Sequence, residues 1–262
     1  MKKIILPLVL GVCCATGASA QFGNLKINDR AISAAGKGLK AVTFSSEDAA
    51  RMAHEGVEWM DEHNKIAPAN SAYAKRLDKI FGKHRNEDGL PLNYKVYMVT
   101  DVNAFACADG SVRVFAGLMD LMTDDELLAV IGHEIGHVKN NDSRDAVREA
   151  YRRAALTEAA SSQNNAIATL SDSQLGDFMN ALISSKYSRK QESAADRYSY
   201  EFMKRHNYNV MAEASAFRKL AALSGGAQQS KTEQMMSSHP DSESRAAAVE
   251  KWAEKDGLNK KG

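Results

Sequence analysis

Apolar residues recur at helical spacing through most of this 262-residue chain. They return every three or four residues, which is the pattern of helices with one buried face. The apolar stripe after residue 172 predicts a helix that is bent or interrupted before residue 204, whereas the polar stretch 224–238 predicts a flexible connection. Helices are predicted at residues 46–63, 71–83, 143–160, 173–204, 209–223 and 241–255.

The centre of the chain alternates between apolar and polar residues with a period of two. Residues 94–100, 103–108 and 111–115 are rich in β-formers and predict three strands, the last two joined by a short hairpin turn. A short helix at 117–122 is expected to follow. The pattern therefore predicts an α+β fold that is mainly α-helical, in a single domain with one small β-sheet.

The next segment predicts a buried helix with two histidines on one face. Thr123 and Glu126 form a capping box, and a heavily apolar run follows them. His133 and His137 are four residues apart and so lie one above the other, with Glu134 about 100° further round the helix. Two such imidazoles can share one zinc ion while the carboxylate reaches a metal-bound water. This H-E-x-x-H pattern is typical of a zincin-type peptidase.

A catalytic zinc site needs a third protein ligand. Glu192 is the best candidate, because it lies on a predicted helix with Asp196 one turn later on the same face. An acidic residue there can hydrogen-bond the free ring nitrogen of a ligand histidine. Spacing alone leaves an alternative open, in which both carboxylates belong to a solvated charged face with Arg189 and Arg197.

Composition narrows the classes of function. The chain has 34 basic and 33 acidic residues and a net charge of +1, which favours neither a nucleic-acid partner nor a polybasic membrane patch. After the N-terminus no run approaches 18 uninterrupted apolar residues, so no transmembrane segment is expected in the mature chain. Beyond residue 20 only Cys107 remains, which cannot form an internal disulfide.

Residues 1–20 have the features of a secretory signal peptide. Two lysines precede an apolar run that is too short to span a bilayer, which needs about 20 residues. Ala18-Ser-Ala20 then provides a cleavage site of small residues. Cys13 and Cys14 offer lipid attachment as an alternative, although the residues before them fit a lipobox poorly. The exported protein is expected to have a weakly ordered segment at 21–45 and a metallopeptidase domain at 46–262.

Several motifs together resemble one zinc metallopeptidase family. They are H-E-I-G-H at 133–137, E-S-A-A-D at 192–196 behind Tyr187-Ser-Arg, and the preceding N-A-F-A at 103–106. The family is that of the prenyl-protein (CaaX) endoproteases and the heat-shock protein X-type proteases, and the resemblance covers residues 66–250. It is nearest to small soluble bacterial members, which are periplasmic proteases that act on outer-membrane proteins.

The resemblance implies a set of roles for the site. One zinc ion per chain would be held by His133, His137 and Glu192, with Glu134 as general base. Asp196 would orient a ligand histidine or, as an alternative, donate a proton.

The resemblance also singles out two later residues. His239, followed by proline, and Arg245 match an element that approaches the metal in relatives. His239 would either stabilise the oxyanion or close the open zinc position in a latent enzyme. The alternative is that His239 is an exposed loop residue with no role in the site. Asp142 stands where relatives often carry a histidine, so local packing or regulation is expected to differ. No role is assigned to the remaining histidines, His54, His63, His84 and His206.

The expected function is hydrolysis of internal peptide bonds in unfolded or misassembled envelope proteins. The substrate is expected to lie extended along an edge of the sheet. Strand 111–115 is predicted to provide that edge, through Ser111, Val112, Arg113, Val114 and Phe115. Two alternatives stay open: a latent or chaperone-like zinc-binding protein, and a zinc aminopeptidase. A prenyl-protein substrate is not expected without membrane helices.

Overall fold

The structure is a computed structural model that describes residues 45–157, 170–223 and 229–259. The predicted signal peptide, with Cys13 and Cys14, lies outside these residues, as do residues 21–44 and the start of the predicted flexible connection at 224–228. Among the described helices, none is both long and apolar enough to cross a membrane.

Helices form most of the described chain, which confirms the mainly helical α+β prediction. Capping boxes at Ser45, Thr123, Ser171 and Ser188 begin four of them. The stripe predicted at 173–204 is two helices separated by residues 184–188. In chain order the helices are α1 (Ser46–His63), α2 (Ala72–Phe81), α3 (Ala116–Leu121), α4 (Asp124–Lys139), α5 (Asp142–Thr157), α6 (Asp172–Ile183), α7 (Arg189–Arg205), α8 (Met211–Leu223), α9 (Gln229–Ser238) and α10 (Ser242–Lys255).

The prediction of a flexible connection is wrong for residues 229–238, which form α9. The local composition is polar, but Thr232 and Met235 are buried three residues apart on one face of the helix. Met235 belongs to the main hydrophobic core, and α9 packs against α8. Packing against the rest of the molecule therefore decides the structure of this segment.

The strands form two small sheets. A two-stranded ribbon pairs β1 (Asn86–Glu87) with β2 (Leu90–Pro91). The other sheet contains β3 (Asn93–Tyr97), β4 (Ala104–Ala106) and β5 (Ser111–Phe115) in the order β3–β5–β4. β3 runs parallel to β5, and β4 pairs antiparallel with β5, which confirms the predicted hairpin.

The prediction that β5 offers the edge for a substrate is wrong. Its residues Ser111, Val112, Arg113, Val114 and Phe115 are all buried, and β3 and β4 occupy its two sides. The Arg113 side chain points to Asp61 of α1, with two nitrogen–oxygen distances of 2.8 Å. Because the hydrogen-bonding groups of a central strand are already paired, the edge available near the candidate site is β4.

Helix α4 lies between the sheet and the helices α7 and α8, and nearly all of it is buried. Two glycines let α7 approach closely. A Cβ at Gly136 would lie 3.0 Å from the Ala195 backbone, and one at Gly132 would lie 3.2 Å from the Ser199 hydroxyl. This close crossing brings the first turns of α7 against the histidines of α4.

Candidate metal centre

The side chains of His133 and His137 on α4 converge with Glu192 on α7. The Nε2 atoms of the two histidines are 3.1 Å apart, and Glu192 oxygens lie 3.4 Å from Nε2 of His137 and 3.7 Å from Nε2 of His133. Glu192 and Asp196 are each only 2% exposed, so the alternative of a solvated charged face is wrong. Two imidazoles and a carboxylate at these separations suit one shared ion, as in catalytic zinc sites.

Each of the two histidines has a carboxylate behind it. Nδ1 of His133 lies 2.8 Å from Asp196, and Nδ1 of His137 lies 3.0 Å from Asp142. Because a carboxylate only accepts hydrogen bonds, Nδ1 carries the proton in each ring when the ring is neutral, which leaves Nε2 as the atom that could bind a metal. Asp196 lies where it could orient His133, as expected of an acidic residue one turn after Glu192.

The contact of Asp142 with His137 was not predicted from the sequence. Asp142 begins α5, five residues after His137, and Gln191 on α7 donates a 2.9 Å hydrogen bond to its other oxygen. The sequence offered one signal for this contact, because the resemblance marks position 142 as one where a histidine is often expected. Asp142 thus links His137 to the helix that carries Glu192.

His239 and Arg245 also reach the centre. His239 is 9% exposed, so the alternative of an exposed loop residue is wrong. Its Nδ1 lies 3.0 Å from Glu192 and 3.2 Å from Nε2 of His133, which places it among the atoms that could hold a metal ion. Arg245 is buried and forms 2.6 Å ion pairs with Glu192 and Asp196. It holds the two α7 carboxylates in place.

Burial shapes the electrostatics of the centre. Desolvation lowers the pKa of His133 well below its usual value, with the Arg245 charge adding to the effect, so the ring is neutral. Desolvation lowers the pKa of His137, but Asp142 and Glu192 outweigh it and raise the value to about 9. Desolvation raises the pKa of Glu134, and its Oε1 has no hydrogen-bond partner among the described residues. Glu134 is therefore placed to accept a proton.

A narrow cleft runs beside Glu134. Its volume is ≈ 20 Å³, and its lining includes β4 with the following Cys107. Tyr187 and His239 also line it. The Tyr187 ring stacks on His137 with 3.8 Å between ring centroids and 14° between the planes, a contact that the sequence did not predict. The open space beside Glu134 is about that of one water molecule.

Comparisons with known proteins agree with this geometry. Residues 71–253 match the family described as Peptidase family M48. The chain is 40% identical over 248 residues to Metalloprotease YcaL of Escherichia coli (strain K12), covering 94% of this chain and 95% of that protein. It is 40% identical over 228 residues to Metalloprotease LoiP of the same organism, covering 87% and 89%. It is also 29% identical over 215 residues to a Protease HtpX homolog of Salinibacter ruber, covering 70% and 76%.

Proposed function

The chain belongs to peptidase family M48 and is a metalloendopeptidase, and from this premise we propose that it hydrolyses internal peptide bonds of unfolded or misassembled envelope proteins with one zinc ion. The convergence of His133, His137 and Glu192 beside Glu134 carries the proposal. This donor set leaves a fourth position for water. When bound, zinc supplies Lewis acidity that polarises the scissile carbonyl and lowers the pKa of water.

Glu134 is the general base in this proposal. It takes a proton from the attacking water and passes it to the leaving amine. Burial raises its pKa toward the working pH, which suits a group that must both accept and release a proton. Asp196 and Asp142 hold the Nδ1 protons of the ligand histidines, and Arg245 supports Asp196 through an ion pair.

The substrate is proposed to lie along β4, which replaces β5 in the sequence-based prediction. Asn103, Phe105 and Cys107 direct their backbone groups toward β5. The backbone groups of Ala104 and Ala106 therefore face the other way, because these groups alternate along a strand. The Ala104 N–H donates to the Asn103 side chain at 2.9 Å and the Ala106 carbonyl accepts from the Ser143 hydroxyl at 3.3 Å, so a substrate would replace these two contacts. Hydrogen bonds to these groups would involve the backbone of a substrate and depend little on its side chains. Such recognition suits unfolded polypeptides.

His239 is proposed to keep the enzyme latent in the conformation described above. Its Nδ1 lies at hydrogen-bonding distance from the ligand atoms of Glu192 and His133, which favours a role at the fourth coordination position. The small volume of the cleft supports the same interpretation, because His239 lines the cleft together with β4. Movement of His239 would open both the metal and the strand edge, after which the imidazole could instead donate to the oxyanion.

The proposed location is the periplasm. It rests on the predicted signal peptide at residues 1–20, with a lipid anchor at Cys13 or Cys14 as the alternative.

Substitution of Glu134 by glutamine tests the proposed activity. Glu134→Gln should keep zinc, as measured by elemental analysis, but lose casein cleavage, whereas the exposed control Glu58→Gln should keep both. Retained cleavage in Glu134→Gln would rule out the general-base role. Cleavage of a free-amine dipeptide but not of a blocked internal peptide would instead support an aminopeptidase.

A further inference from the structure

A second cluster of metal-binding side chains lies far from the first. It contains His84 from the 3₁₀ turn after α2, Glu87 from β1 and His206, which directly follows α7. We infer that these three side chains form a second site for a divalent cation of the zinc class. Glu192 on α7 and His206, the residue that follows α7, are 14 residues apart, or about 21 Å at 1.5 Å per residue, so the two centres cannot share an ion.

The ligand atoms of the second cluster are as close together as those of the first. Nδ1 of His84 lies 2.9 Å from one oxygen of Glu87, and Nε2 of His206 lies 3.0 Å from the other. One nitrogen or oxygen atom from each residue lies within 4.8 Å of the other two, as at the first centre. Two imidazoles and one carboxylate are ligands that suit zinc and related transition metals better than magnesium or calcium.

The surroundings of His84 also resemble those of a ligand histidine. His84 is 1% exposed, and its Nε2 lies 2.8 Å from the Tyr208 hydroxyl. The hydroxyl can accept the Nε2 proton and so leave Nδ1 free to face the cluster, which is how outer partners fix metal-binding histidines. The His206 side chain is 29% exposed, so the cluster is open to solvent on one side.

Arg205 competes with a metal for this cluster. It lies 2.6 Å from Glu87, but it also lies 3.2 Å from Asp88 and is 46% exposed. When a metal takes Glu87, Arg205 can therefore keep an ion pair with Asp88. The competition predicts that the second site binds zinc more weakly than the buried first centre.

A bound metal would join three separate parts of the fold. His84 and Glu87 flank the start of the β1–β2 ribbon, and His206 ends the helix that carries Glu192. Metal binding at this cluster does not depend on the proposed peptidase substrate. Because a bound metal would hold these parts of the fold together, we assign the site a function in stabilising the fold at the far end of α7.

Zinc titration of the purified protein tests the inference, with elemental analysis after dialysis. The wild-type chain should bind two zinc ions, one more weakly than the other. His206→Ala should bind one and keep casein cleavage, because His206 lies outside the catalytic machinery. His54→Ala, which removes a histidine with a 62% exposed side chain, should still bind two.

Arg205→Ala provides the converse test. It should tighten the weaker zinc site by about fivefold, because an exposed ion pair competes only weakly. Zinc should raise the Tm of wild type at concentrations that fill the weaker site, and this rise should be absent in His206→Ala. A wild-type stoichiometry of one, or a stoichiometry of two in His206→Ala, would show that the cluster is a hydrogen-bonded network only.

Discussion

The carboxylate of Asp142 lies 3.0 Å from Nδ1 of His137, on the side of the ring that faces away from the metal-binding atoms. A carboxylate oxygen of Asp196 lies in the same way 2.8 Å from Nδ1 of His133. The two candidate ligand histidines therefore have matching acidic partners, one from the helix after α4 and one from α7. Such partners fix the tautomer and strengthen the ligand.

Asp142→Ala should weaken zinc binding by about 10- to 100-fold, the usual cost of losing an outer partner of a ligand histidine. Asp142→Asn should recover part of the loss, because its amide oxygen still accepts the Nδ1 proton. A competition assay with a zinc chelator measures the effect. Asp145→Ala is the matched control, since this half-buried residue on the same helix pairs only with arginines in the described contacts. An unchanged zinc affinity in Asp142→Ala would contradict the orienting role.

His239→Ala should increase casein cleavage severalfold, because the proposed latent state loses the group that closes the fourth metal position. The initial rate of cleavage at equal zinc content measures the change. Ser237→Ala, an exposed neighbour on α9, should behave like wild type. A fall in kcat with zinc retained would mean that His239 acts as the oxyanion donor instead.

Ala106→Pro should reduce kcat/KM for casein by about three- to tenfold while the sheet stays intact. The N–H of Ala106 faces away from β5, so proline would remove one hydrogen bond to substrate, worth ~0.5–1.5 kcal/mol. Phe105→Pro is the contrasting variant. It removes an N–H that faces Arg113 on β5 and should lower the Tm. Equal kcat/KM values for Ala106→Pro and wild type would exclude pairing at this edge.

Glu213→Gln should stabilise the protein at alkaline pH. Both carboxylate oxygens of Glu213 are buried without a hydrogen-bond partner in the described chain, and desolvation, with the nearby Asp196 charge, raises its pKa well above the usual value. The folded state therefore holds a proton that the unfolded state releases near pH ~4.3, and stability falls as pH rises through the folded pKa.

Glu213→Gln has no titratable group at this position, so its free energy of unfolding should not fall in this way as the pH rises. At pH 8 its free energy of unfolding should exceed that of wild type by ~1 kcal/mol or more, which corresponds to about 2–4 °C in Tm. Near pH 5 the two proteins should differ less. Thermal melts across this range provide the measurement, with the exposed Glu254→Gln as control. A constant difference at every pH would show that Glu213 does not titrate on unfolding.

The sequence by itself determined the features that depend on neighbours within a few residues. The capping box at Thr123 and the apolar run after it specify α4, and the four-residue spacing puts His133 and His137 on one face. The hairpin of β4 and β5 was also predicted, because its turn is short. Glu192 could be chosen as the third candidate ligand only with the resemblance to a family, since its spacing was equally compatible with a solvated charged face.

Only the tertiary structure decided what depends on distant parts of the chain. β5 became the central strand because β3 pairs with it in parallel across a crossover, and the hydrophobic pattern carries no information on that order. The polar α9 is held by burial of Met235 against the core, and His239 follows it into the metal centre. His84 and His206 lie 122 positions apart, and only packing of α7 against the rest of the fold brings them to one carboxylate.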